Sequence, residues 1–181
     1  MALSVGAMLS LGFIARETEG QVEWIRPPGK TAREDFMALC LKCRKCIEVC
    51  PTSVIQPGRL QDGLLTYGTP ILDFDRGYCN FCQECIDVCP TGALDKEAFS
   101  LSPKLGIAQI NPDACIAWYW YGCGLCATKC PEEAIVLDAK KRPVVIEDKC
   151  TGCGLCEFVC PRPMLRSYDT SNGKGISVKP V

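Results

Sequence analysis

The residues in this chain best suited to chemistry are its sixteen cysteines, and all of them fall in four runs. The first run is Cys40, Cys43, Cys46 and Cys50, followed by Pro51. The second is Cys79, Cys82, Cys85 and Cys89 before Pro90, and the fourth is Cys150, Cys153, Cys156 and Cys160 before Pro161. The third is stretched: Cys115, Cys123, Cys126 and Cys130 before Pro131. A C-x2-C-x2-C-x3-C-P run is the bacterial ligand pattern for [4Fe–4S] clusters, three thiolates holding one cube and the fourth reaching a neighbouring one. Four such runs imply four clusters and the chemistry of single-electron transfer.

Two other uses of so many cysteines fit less well. Cysteine is frequent enough for a disulfide scaffold. Such scaffolds, however, are short chains with scattered spacings and have no use for a proline after every fourth cysteine. Structural zinc takes separated Cys/Cys or Cys/His pairs rather than cysteines at every third position.

Composition narrows the function further. At 181 residues the chain has room for one domain or two small ones. Cysteine inflates the 48% hydrophobic fraction, so the clusters must serve as part of the core and folding is coupled to metal binding. The formal charge of −1 becomes about −9 once thiolates and cluster cores are included. No basic stripe is present, which excludes nucleic acid as a partner. Histidine is absent, which removes the commonest general base, the usual haem ligand and any Rieske-type cluster. Dinucleotide and P-loop fingerprints are missing as well. Nothing in these residues suggests that the chain performs substrate chemistry alone.

Short elements must hold these runs. Extended stretches lead in at Ile71–Phe74, Ile107–Ile110 and Val144–Ile146, and others follow at Ser53–Ile55, Ala93–Leu94 and Ala134–Leu137. Strand, cluster loop, short helix and strand thus recur every thirty to forty residues or so. This predicts an α+β fold of two bacterial-type two-cluster ferredoxin modules in tandem. The expected division is an apolar segment and linker over 1–35, module one over 36–104, module two over 105–166 and a tail over 167–181. Within the first region Arg26-Pro27-Pro28-Gly29 reads as an extended linker. Residues 1–15 are apolar but too short to span a bilayer. They are open to three readings: a segment docked on this chain or a partner, the remnant of an export signal, or a membrane contact.

Pairing the runs in sequence order gives four ligand sets. These are Cys40/Cys43/Cys46/Cys89, Cys79/Cys82/Cys85/Cys50, Cys115/Cys123/Cys126/Cys160 and Cys150/Cys153/Cys156/Cys130. A nested pairing, first run with last, stays open. Gly122, Gly124, Gly152 and Gly154 supply backbone freedom beside the cysteines. Ile47, Val49, Ile86, Val88, Phe158 and Val159 are candidates for the apolar sheath that excludes water. Lys42, Arg44 and Lys45 surround the first run while Glu84 and Asp87 lie in the second, so the first cluster is assigned the higher potential unless solvent screens these charges. Trp118-Tyr119-Trp120-Tyr121 is expected to cover the third cluster or to dock a partner. The stretch 56–70 is expected to be a surface loop.

The chain resembles the four-cluster ferredoxins of the NapF/NapG/MauM type, associated with periplasmic nitrate reductase and methylamine utilisation. The resemblance runs from about Arg26 to Pro161. It rests on the long gap between Cys115 and Cys123, on Arg26-Pro27-Pro28-Gly29, and on Cys-Pro-Thr-Gly-Ala-Leu-Asp at 89–95. It implies electron transfer to or from a larger oxidoreductase, often a molybdenum or tungsten enzyme, with further redox subunits as additional partners. An accessory protein for molybdoenzyme maturation and a free soluble polyferredoxin are the rival functions. Exported members carry a twin-arginine signal. No Arg-Arg pair precedes the apolar stretch here, so a cytoplasmic location is expected, with the periplasm as the alternative.

Overall fold

Each half of the chain builds the same frame from elements only a turn or a few residues long. The computed structural model describes residues 24–101, 103–119, 122–161 and 173–181. In the first half, α1 (Arg33–Leu39) and α2 (Lys45–Glu48) precede β1 (Ile55–Pro57) and β2 (Pro70–Leu72), and α3 (Glu84–Asp87) and α4 (Lys96–Leu101) follow. In the second half, β3 (Ile107–Ile110), α5 (Ile116–Tyr119) and α6 (Leu125–Lys129) lead to β4 (Ile135–Leu137), β5 (Pro143–Val145), α7 (Leu155–Phe158) and β6 (Ile176–Lys179). This is the α+β architecture expected of tandem ferredoxin modules.

The middle of each half is an antiparallel hairpin. Strand β1 pairs with β2 in the register Ile55↔Leu72, and β4 with β5 in the register Ile135↔Val145. Both hairpins begin five residues after a fourth cysteine, where Val54 and Ile55, like Ala134 and Ile135, are buried. Each half is then closed by joining its first extended stretch to its last. In the first half this is a bridge between Lys30 and Leu94, supported by the Thr31 amide donating to the Ala93 carbonyl at 3.2 Å. In the second half it is a four-residue ladder between β3 and β6, from Ile107↔Lys179 to Ile110↔Ile176.

Two segments read as peripheral therefore belong to the frame. Arg26–Gly29 is extended but packed. Ile25 and Pro27 are buried, the Ile25 carbonyl accepts from the Leu72 amide at 2.8 Å, and the Gly29 carbonyl accepts from Asp95 at 2.8 Å. Arg26 stacks over the Phe36 ring at 5.3 Å and donates to Thr69 and Pro70. The end of the tail is strand β6, which buries Ile176 and Val178. The apolar residues 1–15 lie outside the described residues.

One apolar core runs through both halves, from Phe36, Val54 and Phe74 to Ala108, Ile135 and Ile176, with cysteines packed around it. The stretch 56–70 is an ordered loop beyond the first hairpin. It is pinned by the Gly58 amide on the Thr69 carbonyl at 2.8 Å and the Gly68 amide on the Gly58 carbonyl at 2.9 Å. Among the described residues no helix is long and apolar enough to cross a membrane.

Candidate iron–sulfur centres

A left-handed backbone turn on each side of the middle cysteine curls three of the runs. In the fourth run these turns fall on Gly152 (φ +73°) and Gly154 (φ +80°), where no side chain opposes them. In the first two runs the same positions are Lys42, Arg44, Phe81 and Gln83, all with φ between 54° and 66°. Strain at non-glycine residues persists only where surrounding structure enforces it, and it gathers at functional sites. The residue after each second turn starts a one-turn helix that carries the third cysteine inward. Cys85 and Cys156 are buried, Cys46 is part-buried, and the middle cysteines Cys43 and Cys82 are exposed.

The curled runs wall cavities in pairs. Cys40, Cys43 and Cys46 line one cavity together with Cys89 from the second run. Cys79, Cys82 and Cys85 line the next with Cys50 from the first. In the second half, Cys115, Cys123 and Cys126 share a cavity with Cys160. Cys130 and Cys150 lie close enough to Cys153 to disfavour its charged form. Among the described residues no three Cys, Asp or Glu side chains converge tightly enough for one metal ion. Three of the cavities are each lined by four cysteines, the thiolate count of one cubane cluster, and such a cluster fits that arrangement.

Backbone and hydroxyl donors point at the fourth cysteine of a run. The Leu94 amide donates to Cys89 Sγ at 3.4 Å and the Ala134 amide to Cys130 Sγ at 3.3 Å. The Ala108 amide reaches Cys150 Sγ at 3.4 Å. Donors of this kind stabilise the more negative, reduced state of a cluster and so help set its potential.

Two models described as "4Fe-4S dicluster domain" match the chain, one over residues 39–93 and the other over 108–165. The ferredoxin-type protein NapG of Escherichia coli K12 is 32% identical over 161 residues, covering 80% of this chain and 69% of its own length. The methylamine utilisation ferredoxin-type protein MauM of Methylorubrum extorquens is 30% identical over 153 residues, covering 77% and 69%. The ferredoxin-type protein NapF of E. coli K12 is 29% identical over 135 residues, covering 71% and 74%. The chain belongs to the NapF/NapG/MauM-type ferredoxins. It is a ferredoxin-type electron-transfer protein, and its two dicluster domains and sixteen cysteines fit four [4Fe–4S] clusters.

To ligate iron, the thiols must lose their protons to solvent. Burial first, and neighbouring thiolates second, push Cys46 and Cys85 up to about 12. Burial also raises Cys79 to about 12 and Cys126 to about 11, and lifts Cys115, Cys153 and Cys156. Around neutrality these raised groups are thiols before iron binds, so cluster formation releases protons. Loading is expected to weaken as pH falls from ~8.5 to ~6, measured as iron retained after anaerobic reconstitution and desalting at each pH.

Cys50 and Cys89 behave oppositely. Against the burial penalty, hydrogen bonds from Thr52 and from the backbone at Thr52, Val54 and Ile55 bring Cys50 below its ordinary value. Backbone donors at Leu94, Thr91 and Ala93, together with the Thr91 hydroxyl, do the same for Cys89. Thr52 Oγ1 lies 3.4 Å from Cys50 Sγ, and Thr91 Oγ1 lies 3.9 Å from Cys89 Sγ. The sequence reading missed both threonines as sulfur donors, although Cys-Pro-Thr in two of the four runs was the visible signal. Thr52→Val is expected to lower one midpoint potential by roughly 30–60 mV, at most about a tenfold change in a one-electron equilibrium. An EPR-monitored redox titration reads this directly.

Several predicted surroundings lie elsewhere. Ile86 is buried and Ile47 part-buried as expected of a sheath, and Val49, Val88 and Val159 are part-buried. Phe158, by contrast, is exposed and pairs with Tyr78, the ring centroids 6.1 Å apart. Trp118 and Tyr119 face outward rather than over the third cavity. Arg142 lies 4.4 Å above the Trp118 ring, and the Tyr119 hydroxyl donates to the Asp113 carbonyl. Trp120 and Tyr121 are outside the described residues. Lys42, Arg44 and Lys45 are all exposed, and Asp87 is paired with Lys96 at 2.6 Å. Solvent and pairing thus blunt the charge contrast assigned to the first two runs.

Proposed function

We propose that this ferredoxin is a non-catalytic relay subunit, passing single electrons to or from a catalytic oxidoreductase through four clusters held by the sequential sets Cys40/Cys43/Cys46/Cys89, Cys50/Cys79/Cys82/Cys85, Cys115/Cys123/Cys126/Cys160 and Cys130/Cys150/Cys153/Cys156. The observation that carries the ligand assignment is that three cavities are each lined by three cysteines of one run and the fourth of its sequence neighbour. The fourth set rests on Cys153, whose charged form is disfavoured by burial and then by nearby Cys130 and Cys150, and on Cys156, disfavoured by burial and then by nearby Cys153 and Cys150. When bound, each cluster takes up and releases one electron without bond making or breaking. The chain's own contribution is to hold the sulfurs, exclude water with Ile86 and its neighbours, and donate hydrogen bonds from Thr52, Thr91, Leu94, Ala108 and Ala134.

Docking on a larger partner is supported by the loop beyond the first hairpin. Leu60, Leu64, Leu65 and Tyr67 are between 55% and 78% exposed, and Gly68 packs beside Lys42 of the first run. Apolar side chains clustered next to a redox site are the composition of an interface centre rather than of open surface. The partner class we favour is a molybdenum- or tungsten-pterin oxidoreductase, the class implied by the resemblance set out in the sequence analysis. We keep the cytoplasm as its compartment, with the periplasm as the alternative.

The test is anaerobic purification of the protein from its native host, with metal analysis and turnover. Stoichiometric molybdenum or tungsten, with the clusters becoming reduced when the enzyme's substrate is added, is the expected result. Iron without either metal, and clusters indifferent to turnover, would point instead to a maturation accessory or a free polyferredoxin.

A further inference from the structure

We propose that electrons pass between the two modules at one built crossing, the hydrogen bond from the Cys79 amide to the Cys153 carbonyl, so that the clusters form a single line ending at the Cys40 set and the Cys115 set. The proposal rests on the sequential cysteine sets given above and orders them. That bond is 2.8 Å long and joins the first cysteine of the second run to the middle cysteine of the fourth. The path from one sulfur to the other follows each residue's own covalent bonds and is interrupted by this one hydrogen bond alone. A continuous bonded path couples two redox centres better than an equal span of loosely packed side chains. One electron crosses per event, one cluster being oxidised by one unit and the other reduced by one unit, with no proton or bond moving.

Close packing fixes the crossing in place. Gly154 lies so near Phe74 that a Cβ would enter the ring, and Gly152 lies against the backbone of Gly106. The Leu105 amide donates to the Thr151 carbonyl at 3.0 Å. Lys174 pairs with Asp75 at 2.6 Å and donates to the Phe74 carbonyl at 3.3 Å. Tyr78 and Phe158 meet beside it. Residues 73–79 are thus clamped to the fourth run from three sides, and Phe74 and Gly154 act as positioning residues.

The remaining order follows from the helices that carry the third cysteines. α2 packs on α3, bringing Cys46 near Cys85, and α6 packs on α7, bringing Cys126 near Cys156. Cys79 meets Cys153 across the module boundary through the 2.8 Å hydrogen bond. The order along the line is therefore first, second, fourth and third run.

Spin coupling between reduced clusters reads this order without any catalytic assay. In the anaerobically loaded full chain, Cys43→Ala with Cys123→Ala removes the two end clusters. The remaining pair is expected to give a split, mutually coupled EPR spectrum on full reduction. Cys82→Ala with Cys150→Ala leaves the two ends, and these are expected to give two unsplit signals. An unsplit spectrum from the first variant, or a split one from the second, would overturn the order. If either double variant loses all its iron, Phe74→Ala in the otherwise native chain carries the test, since it removes the ring packed on Gly154 and lies in no cysteine run. Its spectrum should lose the coupling between halves at unchanged iron, and an unaltered spectrum would refute the crossing. Iron well short of four clusters in the unsubstituted chain would instead sink the cysteine assignment itself, and the crossing with it.

Discussion

Replacing Cys43 and Cys89 together by alanine is expected to remove one cluster, a quarter of the iron, although the two residues lie in different runs. Both line the same cavity with Cys40 and Cys46, so the second substitution strikes a site that the first has already emptied. Two changes at one site are not additive, whereas changes at separate sites are. Cys43→Ala with Cys160→Ala should accordingly cost two clusters, because Cys160 lines the cavity of Cys115, Cys123 and Cys126. A nested pairing reverses both outcomes. Iron and inorganic sulfide analysis of the two double variants distinguishes the schemes, and equal losses from both would refute the sequential one.

Ending the chain at Asn172 is the second large change, and it touches no cysteine. It deletes β6, whose Ile176 and Val178 are 2% and 7% exposed, and strips the partner from all four residues of β3. It also removes Gly175 and Ile176 from the wall of the third cavity, and the Val178 amide that donates to Glu157 at 2.6 Å. Burying an Ile or Val side chain contributes about 1.5–3 kcal/mol each, against a total stability of roughly 5–15 kcal/mol for a domain. The truncated protein is expected to lose the two clusters of its second half and keep those of its first, so iron falls by about half. Ile176→Ala should weaken the same region by about 2–5 kcal/mol, seen as faster iron loss to a chelator. Full iron retention in the truncated chain would show that β6 is dispensable.

The cysteine runs made the sites and the module repeat legible, because cluster ligation imposes a local spacing that needs no tertiary knowledge. The hairpins were legible too, since Ser53–Ile55 and Ala134–Leu137 follow the fourth cysteines as extended apolar stretches. What pairs across long distances was not. β6 lies at the far end of a stretch with no cysteine, and nothing local in Ile176-Ser177-Val178-Lys179 names β3 as its partner. Arg26–Gly29 has the prolines of a linker, yet the Ile25 carbonyl just before it meets Leu72 and the Gly29 carbonyl meets Asp95. Trp118 illustrates the reverse limit: an aromatic beside a stretched cysteine run suggests a lid, but the helix Ile116–Tyr119 buries Ala117 and turns Trp118 outward under Arg142. The left-handed turns at Lys42, Arg44, Phe81 and Gln83 were hidden because those residue types disfavour them; only the glycines of the later runs marked the positions.

The most direct test of the account is a single analysis of the anaerobically purified chain for iron, inorganic sulfide and zinc, with Mössbauer spectroscopy on the same sample. The account predicts one iron and one sulfide for every cysteine, all in cubane clusters that accept one electron each. Metal at one ion per four cysteines without sulfide, or zinc in place of iron, would contradict it.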